Sequence, residues 1–375
     1  MAEAGAQVTL GVERFELLDS TLRARYDALF EECPRAFIQQ STLWAEVIAE
    51  LGPDEPVFLL CNDAGRDVAG LPLYVFRGPF GAILNSVPQA GPLGGVFLRP
   101  GLAPEVREAA YAALIEAALA SSRERDATAL SLITNPFDPD LDLVEHYLEP
   151  DLVFENFTQF VPLDEIVDGR QLKLRDWQRR SNLSRCLKRA RAAGFVPLER
   201  PDAAAFDGWY AIHAERHQEI GARPLPRRLL ENIRRVLEPR GKAFFQVLTS
   251  GSEIASGTLF IGHREVLDVF MLSMNSRFAE SQPNFLSTEL SLFEARQRGH
   301  TIYNWQSSPS RGSGVHRYKE QWGSQERAYS FMTRLFHRER IAGRSAEDVR
   351  AGYPGHYVAP YGALLDGFKN SRYAK

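Results

Sequence analysis

The stretch Asn304–Gly323, NWQSSPSRGSGVHRYKEQWG, is the most informative part of this 375-residue chain. It begins in the last two residues of a predicted buried strand, Thr301–Trp305, and runs through a polar loop into the cluster HRYK at 316–319. A buried strand that opens into a loop rich in donors, aromatic rings and cations is where α/β proteins usually carry their chemistry. We therefore expect the functional site at this end of the strand.

Outward from this strand, the chain alternates between hairpin-like strands and single helices. The predicted helices are 22–51 with a break near Pro34, 105–121, 203–220, 227–237 and 284–298. The predicted strands are 57–61, 67–76, 82–86, 128–133, 158–162, 243–250, 254–261, 265–273, 301–305 and 328–335. This mixture predicts an α/β chain of the α+β, mixed-sheet kind. No G-x-G-x-x-G follows a first strand, which argues against a doubly wound dinucleotide-binding fold.

The two halves of the chain share one order of elements: helices, antiparallel strands, a helix, a strand, a loop and a final strand. A length of 375 residues also exceeds one ordinary hydrophobic core. We therefore predict an N-terminal domain at 1–165, a C-terminal domain of the same kind at 166–345, and a C-terminal extension at 346–375.

Composition narrows the function classes. The formal charge of −4 excludes a generally basic nucleic-acid binder, although a local basic face stays compatible with it. The three cysteines are widely spaced, which favours a reducing compartment and argues against a Cys-rich zinc site. The N-terminal residues lack a signal-peptide pattern, and no apolar run approaches the roughly 20 residues that span a bilayer. We expect a cytoplasmic protein without a metal site.

A local basic face is predicted near the middle of the chain. Residues 173–191 carry eight Lys and Arg side chains against one acid, Asp176. Such a run is usually a solvated surface, but its density within an acidic protein favours phosphate or RNA as a partner. The candidate phosphate contacts are Arg179, Arg180, Arg185, Lys188 and Arg189.

Five segments carry a family resemblance. They are FIQQSTLW at 37–44, RRSNLSRCLKRARAAG at 179–194, the helix at 283–299, the strand at 302–307 and YKEQWG at 318–323. In this order they resemble the Fem family of peptidoglycan-bridge aminoacyltransferases and related acyltransferases of the GNAT superfamily. The resemblance implies two tandem GNAT-like domains with a substrate groove between them. It also implies an acyl donor at the second domain, either aminoacyl-tRNA or acyl-coenzyme A, used as a co-substrate and not as a bound cofactor.

The resemblance also implies residue roles. Lys319 would lie at the reaction centre near the donor ester, with Tyr318 as its aromatic neighbour. Arg227 or Arg228 would bind substrate phosphate. Further expected substrate contacts are Trp44 and Arg311.

One departure from the family bears on the acceptor. Members that use a nucleotide-linked murein precursor have a lysine shortly after the N-terminal tryptophan, whereas here AEVIAE follows Trp44. We therefore expect the amine acceptor to be a small molecule or a peptide.

Acyl transfer to an amine needs a proton acceptor, donors for the oxyanion and cations for donor phosphates. Lys319 could supply the positive charge for the oxyanion or for a donor phosphate. The alternative interpretation is that Lys319 is an ordinary, solvated surface lysine. His316 is a candidate base because the reference pKa of histidine, about 6.5, suits neutral pH.

Asp268, inside the apolar run VLDVFML, could orient or deprotonate an amine, or it could simply face solvent. Asn304 and Gln306 share one side of a strand by period two and could hold substrate amides, which would point Trp305 into the core.

The identity of the donor depends on one turn. Enzymes of the GNAT superfamily that use acyl-coenzyme A generally cradle its pyrophosphate on a glycine-containing turn before a helix. The corresponding segment here, SMNSRFAESQPNF at 273–285, has no glycine. We therefore predict an aminoacyl-tRNA-dependent transferase that forms an amide bond. An acyl-coenzyme A-dependent N-acyltransferase and a non-catalytic binding protein of the same fold stay open as alternatives. The oligomeric state also stays open, and a monomer is compatible with the sequence.

Overall fold

The computed structural model describes residues 10–87, 93–138, 140–165, 181–219 and 221–360. In these ranges the strands are β1 (Gly11–Phe15), β2 (Glu55–Asp63), β3 (Arg66–Gly78), β4 (Gly81–Asn85), β5 (Phe97–Leu98), β6 (Ala127–Ile133), β7 (Leu152–Pro162), β8 (Val196–Pro197), β9 (Ala243–Ser250), β10 (Glu253–His263), β11 (Val266–Met274), β12 (Ile302–Gln306) and β13 (Gln325–Leu335). The helices are α1 (Ser20–Glu32), α2 (Thr42–Ile48), α3 (Pro104–Glu124), α4 (Leu141–Leu148), α5 (Ser181–Ala192), α6 (Ala203–Glu219), α7 (Arg227–Leu237), α8 (Pro283–Gln297), α9 (Gly314–Glu320), α10 (Arg338–Ile341) and α11 (Ala346–Gly352).

The chain divides into two compact units. The first consists of the described residues up to Asn156 together with those from Ala328 onward, and the second is Phe157–Arg327. These units differ from the predicted division at 165/166, because residues 328–345 lie in the first unit. The physical reason is strand pairing: Phe331 of β13 pairs with Ile133 of β6 in an antiparallel ladder.

In the first unit, β1, β2, β3 and β4 pair in antiparallel order, and β4 pairs with β6 in parallel. The alternating side chains of β2 bury themselves on both faces of this sheet. Phe58 packs edge-on to Tyr26 of α1, with ring centroids 5.1 Å apart. Its neighbours Val57 and Leu59 belong to the core cluster that contains Leu114 of α3. Because both faces are covered, the strand is apolar almost throughout.

The second unit repeats this arrangement. Strands β8, β9, β10 and β11 are antiparallel neighbours, β11 pairs with β12 in parallel, and β12 pairs with β7 in antiparallel order. Helices α5 and α8 cover one face through a core that contains Leu187, Leu292 and Phe260. Trp209 of α6 donates from Nε1 to the carbonyl of Gly257 at 2.9 Å. A Cβ at Gly257 would lie 2.5 Å from the Trp209 ring, so only glycine fits there.

Each unit therefore has four antiparallel strands, a crossover helix, a parallel strand and a last antiparallel partner. That partner is β13 in the first unit and β7 in the second. The predicted mixed-sheet α/β class is confirmed. The predicted groove between two domains stays a prediction.

The sequence patterns missed the short helices α4, α9, α10 and α11. The segment before Lys319 was expected to be a loop, but α9 begins at Gly314 with Ser313 as its N-cap. The Ser313 hydroxyl accepts a hydrogen bond from the amide of His316 at 3.2 Å. No helix in the described part of the chain has the length and apolar character to cross a membrane.

Candidate functional site

The second unit contains a cavity of about 790 Å³ where two of its strands separate. Parallel pairing of β11 with β12 runs only as far as Asp268 and Asn304. Beyond that point the register of β12 shifts between Asn304 and Gln306, and Gln306 takes a left-handed backbone conformation with φ +61°. Residues Val269–Met274 of β11 and 305–307 then line the two sides of the opening. The cavity thus arises from an irregularity at the end of the strand that the sequence singled out.

The walls of the cavity are mostly apolar, with a few polar groups among them. The apolar and aromatic lining residues include Phe270, Met271, Leu272, Trp305, Val315 and Tyr318. The polar lining residues are Arg216, His217, Ser273, Ser276, Asn284, Gln306, Ser307 and Lys319. This combination is typical of a pocket that binds a small molecule or one end of a larger substrate.

Lys319 is the buried cation of this cavity. Its side chain projects from α9, and the residue is only 5% exposed. Its Nζ donates to the carbonyl of Gln306 at 3.0 Å and to the carbonyl of Ser307 at 2.8 Å. Burial lowers the pKa of Lys319 to about 7. An ammonium has three N–H donors, and two of them are accounted for within the described residues. The surface lysine that the sequence left open as an alternative is therefore not what the structure shows.

Three further polar atoms of residues on the cavity wall lack a hydrogen-bond partner in the part of the chain that the structure describes. They are Nε2 of Gln306, Oδ1 of Asn284 and Nε1 of Trp305, all buried. A buried polar atom without a partner costs about 1–3 kcal/mol, so such groups call for an explanation. The left-handed backbone of Gln306 is a second local cost at this position. Both features mark Gln306 and Asn284 as groups that a ligand could satisfy.

Tyr318 forms a fixed wall of the cavity. Its hydroxyl donates to the Asn284 carbonyl at 3.1 Å and lies 2.9 Å from the hydroxyl of Thr288. Its ring packs edge-on to Phe285 and Trp305. Burial raises the pKa of Tyr318 well above its usual value. The residue is therefore suited to shaping the cavity and not to transferring a proton.

The period-two expectation for β12 is wrong at its last residues. Asn304 does not line the cavity, whereas Trp305 and Gln306 both do. The reason is the irregular register between Asn304 and Gln306, which breaks the alternation of side chains. Trp305 also belongs to the core cluster of this unit, as expected.

Asp268 lies in the sheet beside the cavity and does not line it. Its carboxylate accepts a hydrogen bond from Nδ2 of Asn304 at 2.5 Å, and Oδ1 of Asn304 accepts from the Thr158 hydroxyl at 2.6 Å. All three residues are at most 2% exposed. The solvent-facing alternative for Asp268 is therefore wrong, and its carboxylate is a buried, hydrogen-bonded group of the sheet.

His316 and Arg311 come together around Glu326, away from the cavity lining. Nε2 of His316 lies 2.7 Å from the Glu326 carboxylate, and Nε of Arg311 donates to the same carboxylate at 2.8 Å. The guanidinium of Arg311 also stacks over the Phe157 ring at 4.3 Å. These contacts pair the guanidinium of Arg311 and one ring nitrogen of His316 with Glu326, and the predicted roles of both residues stay predictions.

The other predicted residues also lie away from this cavity. Trp44 is fully buried in the core of the first unit. Arg227 is paired with Glu231 at 2.7 Å and with Asp207 at 2.5 Å, and neither it nor Arg228 lines the cavity.

The basic segment is helical from Ser181, and Arg179 and Arg180 lie outside the described residues. Helix α5 buries Leu183, Leu187 and Ala190. Arg185, Lys188 and Arg189 are exposed on its opposite face. The helix thus presents a row of cations to its surroundings, as the spacing predicted.

Sequence reasoning missed several residues of the cavity, above all His217. His213 and His217 occupy positions i and i+4 of α6, a spacing that places them on one helix face. That pattern was the available signal. Among the described residues, no group of His, Cys, Asp and Glu side chains could hold a metal ion.

Comparisons with known proteins bear on this unit directly. Residues 178–320 match the family described as an acetyltransferase (GNAT) domain. No curated protein matches the sequence. The match covers the cavity, α5 and all of α9, so it coincides with the site that the geometry indicates.

Solved structures resemble the chain over most of its length. FemX has a TM-score of 0.63 at 15% identity, covering 85% of this chain and 97% of FemX. L-PGS from Bacillus licheniformis has a TM-score of 0.53 at 14% identity, covering 82% and 91%. A tandem GNAT protein from the clavulanic acid biosynthesis pathway has a TM-score of 0.52 at 13% identity, covering 87% and 98%. At these identities the likeness establishes the fold. Residues 178–320 therefore resemble a GNAT acetyltransferase domain, and the chain as a whole has the fold of FemX and of the tandem GNAT protein.

Proposed function

We propose that the second unit transfers an aminoacyl group from aminoacyl-tRNA to the amine of a small molecule or peptide. The observation that carries this proposal is Lys319, a buried lysine with no carboxylate partner among its described contacts, on the wall of the cavity. Burying an ammonium without a carboxylate partner costs free energy, and ionisable groups held in this way are found mostly at functional sites. Stabilising the oxyanion of an acyl-transfer intermediate is such a use.

The cavity fits the acyl end of a donor. When an amine attacks an ester carbonyl, negative charge develops on the carbonyl oxygen, and a pre-positioned donor stabilises it. The third N–H of the Lys319 ammonium is available for that oxygen because the other two are held by Gln306 and Ser307. Asn284 and Gln306 offer amide groups for the polar part of an aminoacyl substrate. The mostly apolar walls lower the local dielectric constant, which strengthens each of these interactions.

Two observations favour tRNA over coenzyme A as the carrier. The segment that would cradle a pyrophosphate forms a 3-10 turn, Ser276–Ser281, and Gln282 takes a left-handed conformation before Pro283 opens α8. Pro283 has no N–H to offer to a phosphate. In the same unit, α5 exposes Arg185, Lys188 and Arg189, which suit the phosphates of an RNA backbone. A tRNA donor would also place the reaction in the cytoplasm.

The test is incubation of the purified protein with charged tRNA and a panel of amines, followed by mass spectrometry. A parallel arm replaces tRNA with acyl-coenzyme A. We expect a new amide only in the tRNA arm. Amide formation only with acyl-coenzyme A would make the protein an N-acyltransferase of that type. Binding of amines without turnover in either arm would support the non-catalytic alternative.

A further inference from the structure

Two histidines lie one turn apart on α6, and the hydrogen bonds around the first of them fix where its proton is. The amide N–H of Leu225 donates to Nε2 of His213 at 3.1 Å, so this nitrogen carries a lone pair. The proton of the neutral ring is therefore on Nδ1, which lies 3.3 Å from the hydroxyl of Ser273. Burial, with a smaller contribution from His217, lowers the pKa of His213 to about 4. His213 is thus a neutral, positioned ring at neutral pH.

The second histidine is oriented by the first. Nδ1 of His217 lies 2.9 Å from the main-chain carbonyl oxygen of His213. A carbonyl oxygen only accepts hydrogen bonds, so Nδ1 of His217 must carry a proton. The neutral ring then has its lone pair on Nε2. His217 lines the cavity that contains Lys319, and the described contacts include no hydrogen bond to Nε2.

We propose that His217 is the general base of the reaction, with Nε2 accepting the proton of the attacking amine. This inference rests on the proposed function. The amine nitrogen forms a bond to the acyl carbon, and the bond from that carbon to the ester oxygen of the donor breaks. The amine proton moves to Nε2 of His217 and is then released to the departing alkoxide, either directly or through water. No further reactant is needed.

The other ionisable groups on the cavity wall are less suited to this role. Arg216 has no acceptor atom. The Tyr318 hydroxyl is donated to the Asn284 carbonyl, and its pKa is raised. Lys319 is directed by two carbonyls to act as a donor. His217 combines a place on the wall, a fixed tautomer and a free lone pair among the residues that the structure describes.

His217→Asn is the sharpest variant for a test. The Asn amide nitrogen can replace Nδ1 in the hydrogen bond to the His213 carbonyl, while the base at Nε2 is lost. General acid–base groups contribute typically 10²–10⁴-fold, so we expect kcat to fall by at least about 10²-fold, with a smaller effect on KM for the donor. His300→Asn is the matched control, because Nδ1 of His300 also donates to a main-chain carbonyl, that of Arg264, and His300 does not line the cavity.

Chemical rescue separates a missing base from a damaged fold. We expect imidazole to restore turnover of His217→Ala in proportion to its concentration, and not to affect His300→Ala. The other titratable or charged groups at the same place are His213, Arg216, Tyr318 and Lys319.

Two outcomes would overturn the assignment, and they differ from a failure of the proposed function. Wild-type turnover with full activity in His217→Asn would remove His217 from the chemistry. A folded His217→Ala variant that is inactive and gives no response to imidazole would also count against it. Wild-type protein without turnover on any donor would refute the proposed function itself, and the base assignment with it.

Discussion

The ammonium nitrogen of Lys319 lies 2.8 Å from the carbonyl oxygen of Ser307, immediately beyond the end of β12. This contact ties a cation on α9 to the point where β11 and β12 separate. Because main-chain carbonyls carry only partial charge, they hold the ammonium in place without neutralising it. Because the pKa of Lys319 is about 7, the residue offers this charge to a ligand in the cavity when it is protonated, and its substitution should reduce the rate of the reaction.

Lys319→Met should reduce turnover by about 10²–10³-fold with saturating donor and acceptor, the usual cost of losing one oxyanion donor. Lys319→Arg should restore only part of the rate, because the planar guanidinium places its charge differently. Lys242→Met is the matched control, since Lys242 contacts His263 at 3.1 Å and does not line the cavity. Single-turnover kinetics with charged tRNA measure the effect. Near-normal turnover of Lys319→Met would move the reaction centre elsewhere.

The lowered pKa of Lys319 also predicts how stability depends on pH. Between about pH 7 and its ordinary pKa of 10.5, Lys319 is deprotonated in the folded protein and protonated in the unfolded chain. The unfolded state then binds more protons, so this residue makes stability rise with pH across that window. Below pH 7, Lys319 is protonated in both the folded and the unfolded protein, so the free-energy cost of burying its charge is fully present.

The comparison of wild type with Lys319→Met isolates this effect, because all other groups are common to both proteins. We expect the variant to be the more stable protein near pH 6.5. Its advantage should shrink by about 1.4 kcal/mol per pH unit between pH 7 and 10.5. Urea unfolding at pH 6.5, 8 and 9.5 measures it. An advantage that stays constant over this range would mean that the lysine titrates normally.

Asp268→Ala should reduce stability much more than it reduces turnover. The substitution leaves Nδ2 of the buried Asn304 without the acceptor that now lies 2.5 Å away. An orphaned buried donor costs about 1–3 kcal/mol, whereas the cavity wall keeps all of its residues. Urea unfolding and kcat, measured on the same preparation, decide between the roles. Unchanged unfolding together with a 10²-fold loss of kcat would restore Asp268 as a catalytic candidate.

Reversing the charges of Arg185, Lys188 and Arg189 to Glu should weaken tRNA binding steeply. Wild-type affinity should also fall with salt, because cations on α5 release counterions from the RNA backbone. A triple reversal of Arg14, Arg77 and Arg123, which are exposed in the first unit, changes the net charge equally and serves as the control. Filter binding at two salt concentrations measures both. Equal affinities of the wild type and the α5 variant would mean that the basic face of α5 is an ordinary solvated surface and does not bind tRNA.

The strands and long helices were predictable because their signals are local. Strand β9 occupies 243–250 and α7 occupies 227–237, as the apolar patterns indicated. The partner of β13 could not be predicted in this way. Its own residues specify a strand, but pairing with β6, almost 200 positions earlier, depends on the tertiary fold.

The site was predictable in position and only partly in composition. Lys319 and Tyr318, which were expected at the reaction centre, lie on the wall of the cavity, and their catalytic roles stay predictions. Trp305 belongs to the core as expected but also lines the cavity, because an irregularity in β12 breaks the alternation on which the expectation rested. His217 was missed because its role depends on a carbonyl one helical turn away and on a cavity formed by strands far along the chain.

The last strand of the first unit, β13, follows the whole second unit in the sequence, and this order has a consequence for biosynthesis. The first unit needs β13 as the antiparallel neighbour of β6, yet β13 ends only at Leu335. The second unit, Phe157–Arg327, is continuous in sequence and is encoded inside the first. On the ribosome, the second unit can therefore be completed while the first still exposes the edge of β6. The first unit begins to be synthesised before the second, but it can complete its fold only after the second unit has been made. A truncation before residue 335 should leave the edge of β6 unpaired and therefore prone to aggregation.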